Sequence, residues 1–303
     1  MNESHNPKPG VLRTPDDCFE NLPDYPFEAN YVDVDDLRVH YLDEGPKFAD
    51  PILLMHGEPS WSYLYRKMIP GLVAAGHRCI APDLIGFGKS DKLTSRKDYS
   101  YQFHIDTMEG FVKGIDLKNI TLFCQDWGSL IGLRVLIDNL DLFKRLIVAN
   151  GGLPTGHGEP SEAFMGWLEY SQKVEVFPVG KIINGACVSD LSDEVIAAYN
   201  TPYPQEEYKE GARIFPTLVP ITPDNPESEN NKQGWQTLSQ WEGQVLTLFS
   251  DSDPITKGGE RYFQKMMPGA KDQPHEIIKD GGHFVQEDKG EVLAEKIVNW
   301  LTN

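Results

Sequence analysis

An α/β fold with a mostly parallel eight-stranded sheet, helices on both faces and an inserted helical cap is predicted by three observations. Short, apolar, β-branched runs alternate with longer helical segments from Pro51 to Ala149, the rhythm of a parallel sheet with crossover helices. That rhythm stops between Leu153 and Gln240, where aromatic, proline-broken helical segments take over. It resumes at Gln244 and His275 with two further strands. A chain of 303 residues holds one large core plus such an insertion.

Residues 1–29 are rich in Pro and Asp and are expected to wrap the surface. Met1–Pro7 has neither a basic region nor an apolar core, so no signal peptide is expected. Tyr31–Val34 and Leu37–Leu42 flank Asp35-Asp36 and read as an antiparallel hairpin. Then follow strand 51–55, helix 62–74, strand 78–82, helix 101–115, strand 120–124, helix 127–137 and strand 145–149. Thr217–Pro226 leads the chain back from the cap, and strands 244–249 and 275–278 complete the sheet. The expected domains are 1–152 and 241–303 for the main body and 153–240 for the cap.

Composition narrows the function. A net charge of −18 argues against nucleic acid and anionic membranes as partners, and no apolar run approaches transmembrane length. Cys18, Cys79, Cys124 and Cys187 show neither metal spacing nor a paired framework, which points to reduced thiols in the cytoplasm. His56 and His104 are scattered without ligand spacing, and Gly86-Phe87-Gly88 is too short for a nucleotide fingerprint. No metal and no cofactor are expected.

The chemistry sits in Cys124-Gln125-Asp126-Trp127-Gly128. A buried strand precedes it and the helical run Ser129–Leu136 follows, the layout of a nucleophile elbow with aspartate in the serine position. A lone aspartate after a strand is a common helix N-cap. Its neighbours change that reading. A carboxylate is already ionised at neutral pH and can displace a leaving group from saturated carbon, forming an ester that water must cleave. Asp253 and His283 each follow a later strand, and the order nucleophile, acid, histidine is that of α/β-hydrolases. Histidine can deprotonate water, and a buried carboxylate fixes its tautomer. Asp251 competes with Asp253, whose Pro254-Ile255 context resembles the usual acid loop. After strand 51–55, His56-Gly57-Glu58 places a backbone N–H at Glu58, which with that of Trp127 would form an oxyanion hole.

Together, His56–Trp61, Ala81–Asp91, Gln125–Gly128, Asp253 and Gly282-His283-Phe284 resemble a haloalkane dehalogenase, from about Asn30 to the C-terminus and most weakly between Leu153 and Gln240. The resemblance is to subfamily I. Glu58 stands where another subfamily has Asn, and in the family's strand count the acid follows the seventh strand while Asn150 ends the sixth. It implies Asp126 as nucleophile, Asp253 as acid, His283 as base, and Trp127 as one halide-binding residue. The second halide-binding tryptophan is expected in the cap, where Trp167 matches best, with Trp235 and Trp241 as fallbacks. Two indole N–H groups suit that task, since they donate to an anion and carry no acceptor. Ser129 and Cys124 depart from small residues frequent at those positions. The implied partners are a small neutral halogenated alkane and water, acted on by a monomer. An epoxide hydrolase shares the triad but needs cap tyrosines, for which Tyr170, Tyr199, Tyr203 and Tyr208 are candidates. The same fold also serves coelenterazine-type monooxygenases and non-catalytic ligand receptors, which light emission or a lack of any turnover would reveal.

Overall fold

The computed structural model describes residues 7–302; the signal-peptide reading of Met1–Pro7 falls almost wholly outside them. The strands are β1 (Val11–Leu12), β2 (Asn30–Val34), β3 (Leu37–Glu44), β4 (Pro51–Met55), β5 (Arg78–Pro82), β6 (Lys92–Leu93), β7 (Ile120–Asp126), β8 (Phe143–Gly151), β9 (Gln244–Ser250) and β10 (Glu276–Ile278). Eight of them form one sheet in the order β10-β9-β8-β7-β4-β5-β3-β2. Pairings from β5 through β4 to β10 are parallel, and β2 and β3 add an antiparallel edge. The β2–β3 hairpin turns at Asp35 (φ 47°) and Asp36 (φ 64°), a two-residue positive-φ turn whose twist matches its strands. Every residue of β4 is buried, as expected of a strand covered on both faces.

The helices are α1 (Ile69–Ala74), α2 (Tyr101–Gly114), α3 (Trp127–Asp138), α4 (Glu162–Lys173), α5 (Val179–Gly185), α6 (Asp193–Asn200), α7 (Glu210–Leu218), α8 (Pro226–Leu238), α9 (Glu260–Met266) and α10 (Val285–Thr302). α1 packs with α10 and α2 with α3, while α4–α8 lie between β8 and β9. The expected helix 62–74 divides into a short 3₁₀ turn, Ser62–Tyr65, and α1. Pro70 explains the break: a continuous helix would need its missing N–H and would force its ring against the carbonyl of Arg66. Strands β7 and β8 run two residues past the expected ends, 124 and 149, and carry Asp126 and Gly151.

From residue 7 the N-terminal segment is fixed rather than merely draped. β1 pairs antiparallel with β6, and Arg13 grips Asp91 through two hydrogen bonds of 2.8 and 2.9 Å. Phe19 and Tyr25 pack on Trp61 with ring centroids 5.6 and 5.2 Å apart. Close by, across Tyr63, which packs on both Trp61 and Tyr199, the inserted helices are bound through Glu287 at the start of α10. Its carboxylate takes Arg66 at 2.6 and 2.7 Å and the Tyr199 hydroxyl of α6 at 2.6 Å. All four cysteines are free thiols. Among the described residues no helix is long and apolar enough to cross a membrane, and no cluster of His, Cys, Asp and Glu could hold a metal.

Candidate active site

The site lies at the carboxyl ends of the parallel strands, where such sheets place their ligands. β7 delivers Asp126 into an abrupt turn with φ 51° and ψ −130°, a conformation a non-glycine residue adopts only when its surroundings impose it. Gly128 is one cause. A Cβ there would stand 2.0 Å from the Met55 carbonyl oxygen, so only glycine lets α3 start this close to β4. Ser129 is another, since its hydroxyl donates to the Asp126 carbonyl (2.6 Å) and accepts from the Gly152 N–H (2.8 Å).

The loop after β4 is equally fixed. His56 donates from Nδ1 to the Gly57 carbonyl (2.9 Å) and accepts the Leu84 N–H at Nε2 (3.0 Å). Burial lowers its pKa, so it stays neutral in that tautomer. Gly57 has no room for a side chain, because its Cβ would meet Asp126 Oδ1 at 2.2 Å. Next along, the Glu58 N–H donates to Asp126 Oδ1 at 2.8 Å. The Trp127 N–H belongs to the first turn of α3, which leaves it without an intrahelical acceptor. The Glu58 side chain is buried; desolvation and the neighbouring Asp126 charge push its pKa well up, favouring the neutral acid.

His283 is buried between two carboxylates. Its Nδ1 lies 3.0 Å from Asp253 Oδ2 and its Nε2 lies 3.3 Å from Asp126 Oδ2. Burial alone would lower its pKa, but Asp253 and Asp126 outweigh that and push it up to about 10. Asp253 is itself buried, which would raise its pKa. His283, the Thr256 hydroxyl and the Ile255 N–H prevail and bring it down to about 2. Asp251 is not part of this chain of groups; it bonds the Ser252 hydroxyl and stands 4.0 Å from Lys279. Geometry thus selects Asp253 over Asp251 as the histidine's neighbour.

Three supporting side chains were not expected from sequence. Asn150, fully buried at the end of β8, donates to the Gly282 (2.8 Å) and His283 (3.0 Å) carbonyls and accepts the Ser250 N–H (2.8 Å). Gln125 donates to the His283 carbonyl at 3.1 Å. Asp288, in the first turn of α10, accepts the Gly282 N–H at 2.8 Å. Their signal was weak because each partner lies between 6 and 158 residues away and the contacts are to backbone. A polar residue inside an apolar strand, as Asn150 is in β8 and Gln125 in β7, was the available clue.

A cavity of about 1230 Å³ opens above Asp126, walled by Glu58, Trp127, Leu130 and His283 below and by Phe164 and Trp167 of α4 above. It is lined mainly by apolar side chains with a few convergent polar groups, the usual make-up of a small-molecule site. Trp127 is buried and held edge-on by Tyr101 and Phe215, with centroids 5.2 and 4.6 Å away. Trp167 faces the same cavity, within reach of the Glu58 carboxyl. Trp235 also lines the cavity, but its N–H is committed to the Leu153 carbonyl at 2.8 Å, and Trp241 is not among the lining residues. Of the four tyrosines only Tyr170 reaches the cavity; the Tyr199 hydroxyl is spent on Glu287. No tyrosine pair therefore faces Asp126 among the lining residues, as epoxide protonation would need.

The family model for the alpha/beta hydrolase fold matches residues 50–290. A haloalkane dehalogenase of Psychrobacter cryohalolentis is 57% identical over 296 residues, covering 96% of this chain and 98% of that one. One of Mycolicibacterium paratuberculosis is 48% identical, covering 96% and 98%. Among solved structures, the haloalkane dehalogenase DpaA of Paraglaciecola agarilytica superposes with a TM-score of 0.88 at 35% identity, covering 97% of this chain and 98% of its own.

Proposed function

This chain belongs to the haloalkane dehalogenases, α/β-hydrolases that cleave carbon–halogen bonds with water, and from that premise we propose how its residues divide the reaction. The observation that carries the proposal is the unequal setting of the two Asp126 oxygens. Oδ1 is held by the Glu58 N–H, which leaves Oδ2 to attack the halogen-bearing carbon in line. The carbon–halogen bond breaks as the carbon–Oδ2 bond forms. The halide departs with the electron pair towards the indole N–H groups of Trp127 and Trp167, where an unpaired anion in an apolar pocket would otherwise be costly. Oδ1 is then the ester carbonyl oxygen, already 2.8 Å from its oxyanion donor. The Trp127 N–H is the second donor.

His283 Nε2 takes a proton from water, and the oxygen attacks the Asp126 carboxyl carbon. Collapse expels the alkoxide, which recovers a proton from His283; the restored Asp126 carboxyl loses its proton to solvent. Asp253 orients the imidazole and stabilises its charged form. The products are an alcohol, a halide ion and a proton. Alkylation also removes one of the two charges that raise the His283 pKa, so the first half-reaction prepares the base for the second.

The interrupted strand rhythm supports reading residues 153–240 as a cap over the main body formed by 1–152 and 241–303. The substrate is a neutral halogenated alkane. We take the acting unit to be a monomer, since Asp126, Asp253, His283 and both indoles come from one chain; the Paraglaciecola agarilytica relative is described as tetrameric. Four free thiols support the cytoplasmic reading.

The test is a single turnover in ¹⁸O-labelled water. The label is expected in the Asp126 carboxylate, with unlabelled alcohol. Label in the alcohol alone would mean direct attack by water and would remove the ester from the mechanism.

A further inference from the structure

Asp288 takes no part in the chemistry proposed above, yet its carboxylate joins two parts of the molecule that meet at the base. Oδ2 accepts the Gly282 N–H at 2.8 Å and the Val188 N–H at 2.9 Å, and Oδ1 accepts the Ser189 N–H at 2.8 Å. Val188 and Ser189 follow α5 of the inserted helical region, about a hundred residues away in sequence. The same two segments also bond directly, since the His283 N–H donates to the Ala186 carbonyl at 2.8 Å. Their approach is so close that a Cβ on Gly282 would stand 2.4 Å from that carbonyl oxygen. Ala186, Val188, Gly282 and His283 all line the cavity.

We propose that Asp288 is a positioning residue for the hydrolytic half-reaction, seating the cap loop Ala186–Ser189 against the backbone that carries His283. The proposal rests on the two-step reaction described under the proposed function.

Several contacts fix the imidazole and its backbone. Asp253 sets its Nδ1, Asn150 and Gln125 hold its carbonyl, and Ala186 holds its N–H. Of these anchors only the last belongs to the inserted region, where the Ala186 N–H bonds the Ile182 and Ile183 carbonyls at the end of α5. Asp288 ties the loop that follows to the main body by charge-assisted bonds to two amides beyond Ala186, while its third bond pins the residue before His283. Loss of the carboxylate unseats the Ala186 end of that contact and releases the Gly282 N–H beside the other, while Asn150 and Gln125 keep the His283 carbonyl. A base displaced by 1 Å can lose on the order of 100-fold in rate. Displacement of halide uses Asp126 and the indoles and not His283, so that step is spared. Seating of the Ala186–Ser189 loop is thereby coupled to ester hydrolysis through His283, whereas carbon–halogen cleavage meets the cap through Trp167 on a different helix, α4.

The experiment uses the full chain with Asp288→Ala and Asp288→Asn, 1,2-dibromoethane as probe, and rapid quench with two readouts. Bromide release in the first turnover reports displacement, and intact-protein mass reports decay of the alkyl-enzyme. The expected result for Asp288→Ala is a first-turnover bromide rate within about twofold of wild type and alkyl-enzyme decay slowed roughly 10-fold or more. Asp288→Asn preserves the shape, so it serves if the alanine variant does not fold. Its one carbonyl oxygen serves the Gly282 and Val188 side or the Ser189 side, not both, so its decay rate should fall between the two. Equal slowing of both steps, as a general packing defect would give, overturns the proposal, and so does decay at the wild-type rate. If His283→Phe accumulates no alkyl-enzyme, the two-step reaction itself fails. If it does accumulate and the Asp288 variants decay normally, only the present inference fails.

Discussion

Replacing Asn150 should cost stability through one specific group. In Asn150→Ala the Gly282 carbonyl keeps the Ser250 hydroxyl as donor at 2.8 Å, and the His283 carbonyl keeps Gln125 at 3.1 Å. The Ser250 N–H has no such substitute: its acceptor is the Asn150 side chain at 2.8 Å, and it is buried. An orphaned buried donor costs about 1–3 kcal/mol. Adding the void left by the amide brings the expected loss to about 2–4 kcal/mol. Asn150→Asp is nearly isosteric and restores the acceptor for Ser250, but it sets a carboxylate oxygen where an N–H₂ now meets two carbonyls at 2.8 and 3.0 Å. A buried anion facing carbonyl oxygens should cost at least as much as the alanine. Urea unfolding at pH 7 reads both variants as a lowered midpoint at unchanged slope. If Asn150→Asp is as stable as wild type, donation to the Gly282 and His283 carbonyls is not what this residue contributes, and the base loop is held by other means.

Trp167→Phe keeps the ring in the cavity and removes its N–H, so bromide quenching of tryptophan fluorescence should need higher bromide and first-turnover halide release should slow; the same change at Trp235, whose N–H is already committed to Leu153, should leave both readouts near wild type. Asp253→Asn should stall turnover after halide release, because it removes the charge that orients His283, whereas Asp251→Asn, with no contact to His283, should turn over within about twofold of wild type. The resting imidazole is pushed up to about 10 by two carboxylates and alkylation neutralises one, so alkyl-enzyme decay should speed up as pH rises, through an apparent pKa below 10. Decay that slows with rising pH, followed by mass spectrometry of the intermediate, would contradict a base role for His283.

The parallel sheet was legible because buried strands are short, apolar and separated by crossover segments, and that pattern is local. Asp126 and His283 were legible for the same reason, the first ending a strand just before Gly128 and the second in the loop after a strand, behind Gly281-Gly282. Asp253 and Asp251 could not be separated by physics from sequence alone, since two residues apart in a loop either could turn inward; the 3.0 Å contact to His283 decides it. Trp235 remained a candidate beside Trp167 because sequence shows an indole but not whether its N–H is already spent. Helix 62–74 was over-extended because its apolar pattern persists through Pro70, where the missing N–H interrupts the backbone without disturbing the pattern. The supporting roles of Asn150, Gln125 and Asp288 escaped notice for another reason. Each acts through backbone atoms of a distant segment, and no residue type at the far end advertises the contact.

The central claim is that His283 serves hydrolysis and not displacement, since Asp126 attacks as an anion and needs no proton removed. His283→Phe, mixed with excess 1,2-dibromoethane and followed by intact and peptide mass spectrometry, tests it directly. The expected result is about one equivalent of bromide per chain, then a stalled enzyme carrying the bromoethyl group on the peptide that contains Asp126. A folded His283→Phe protein that releases no bromide and carries no adduct would show that histidine acts before displacement, and the division of labour argued here would not stand.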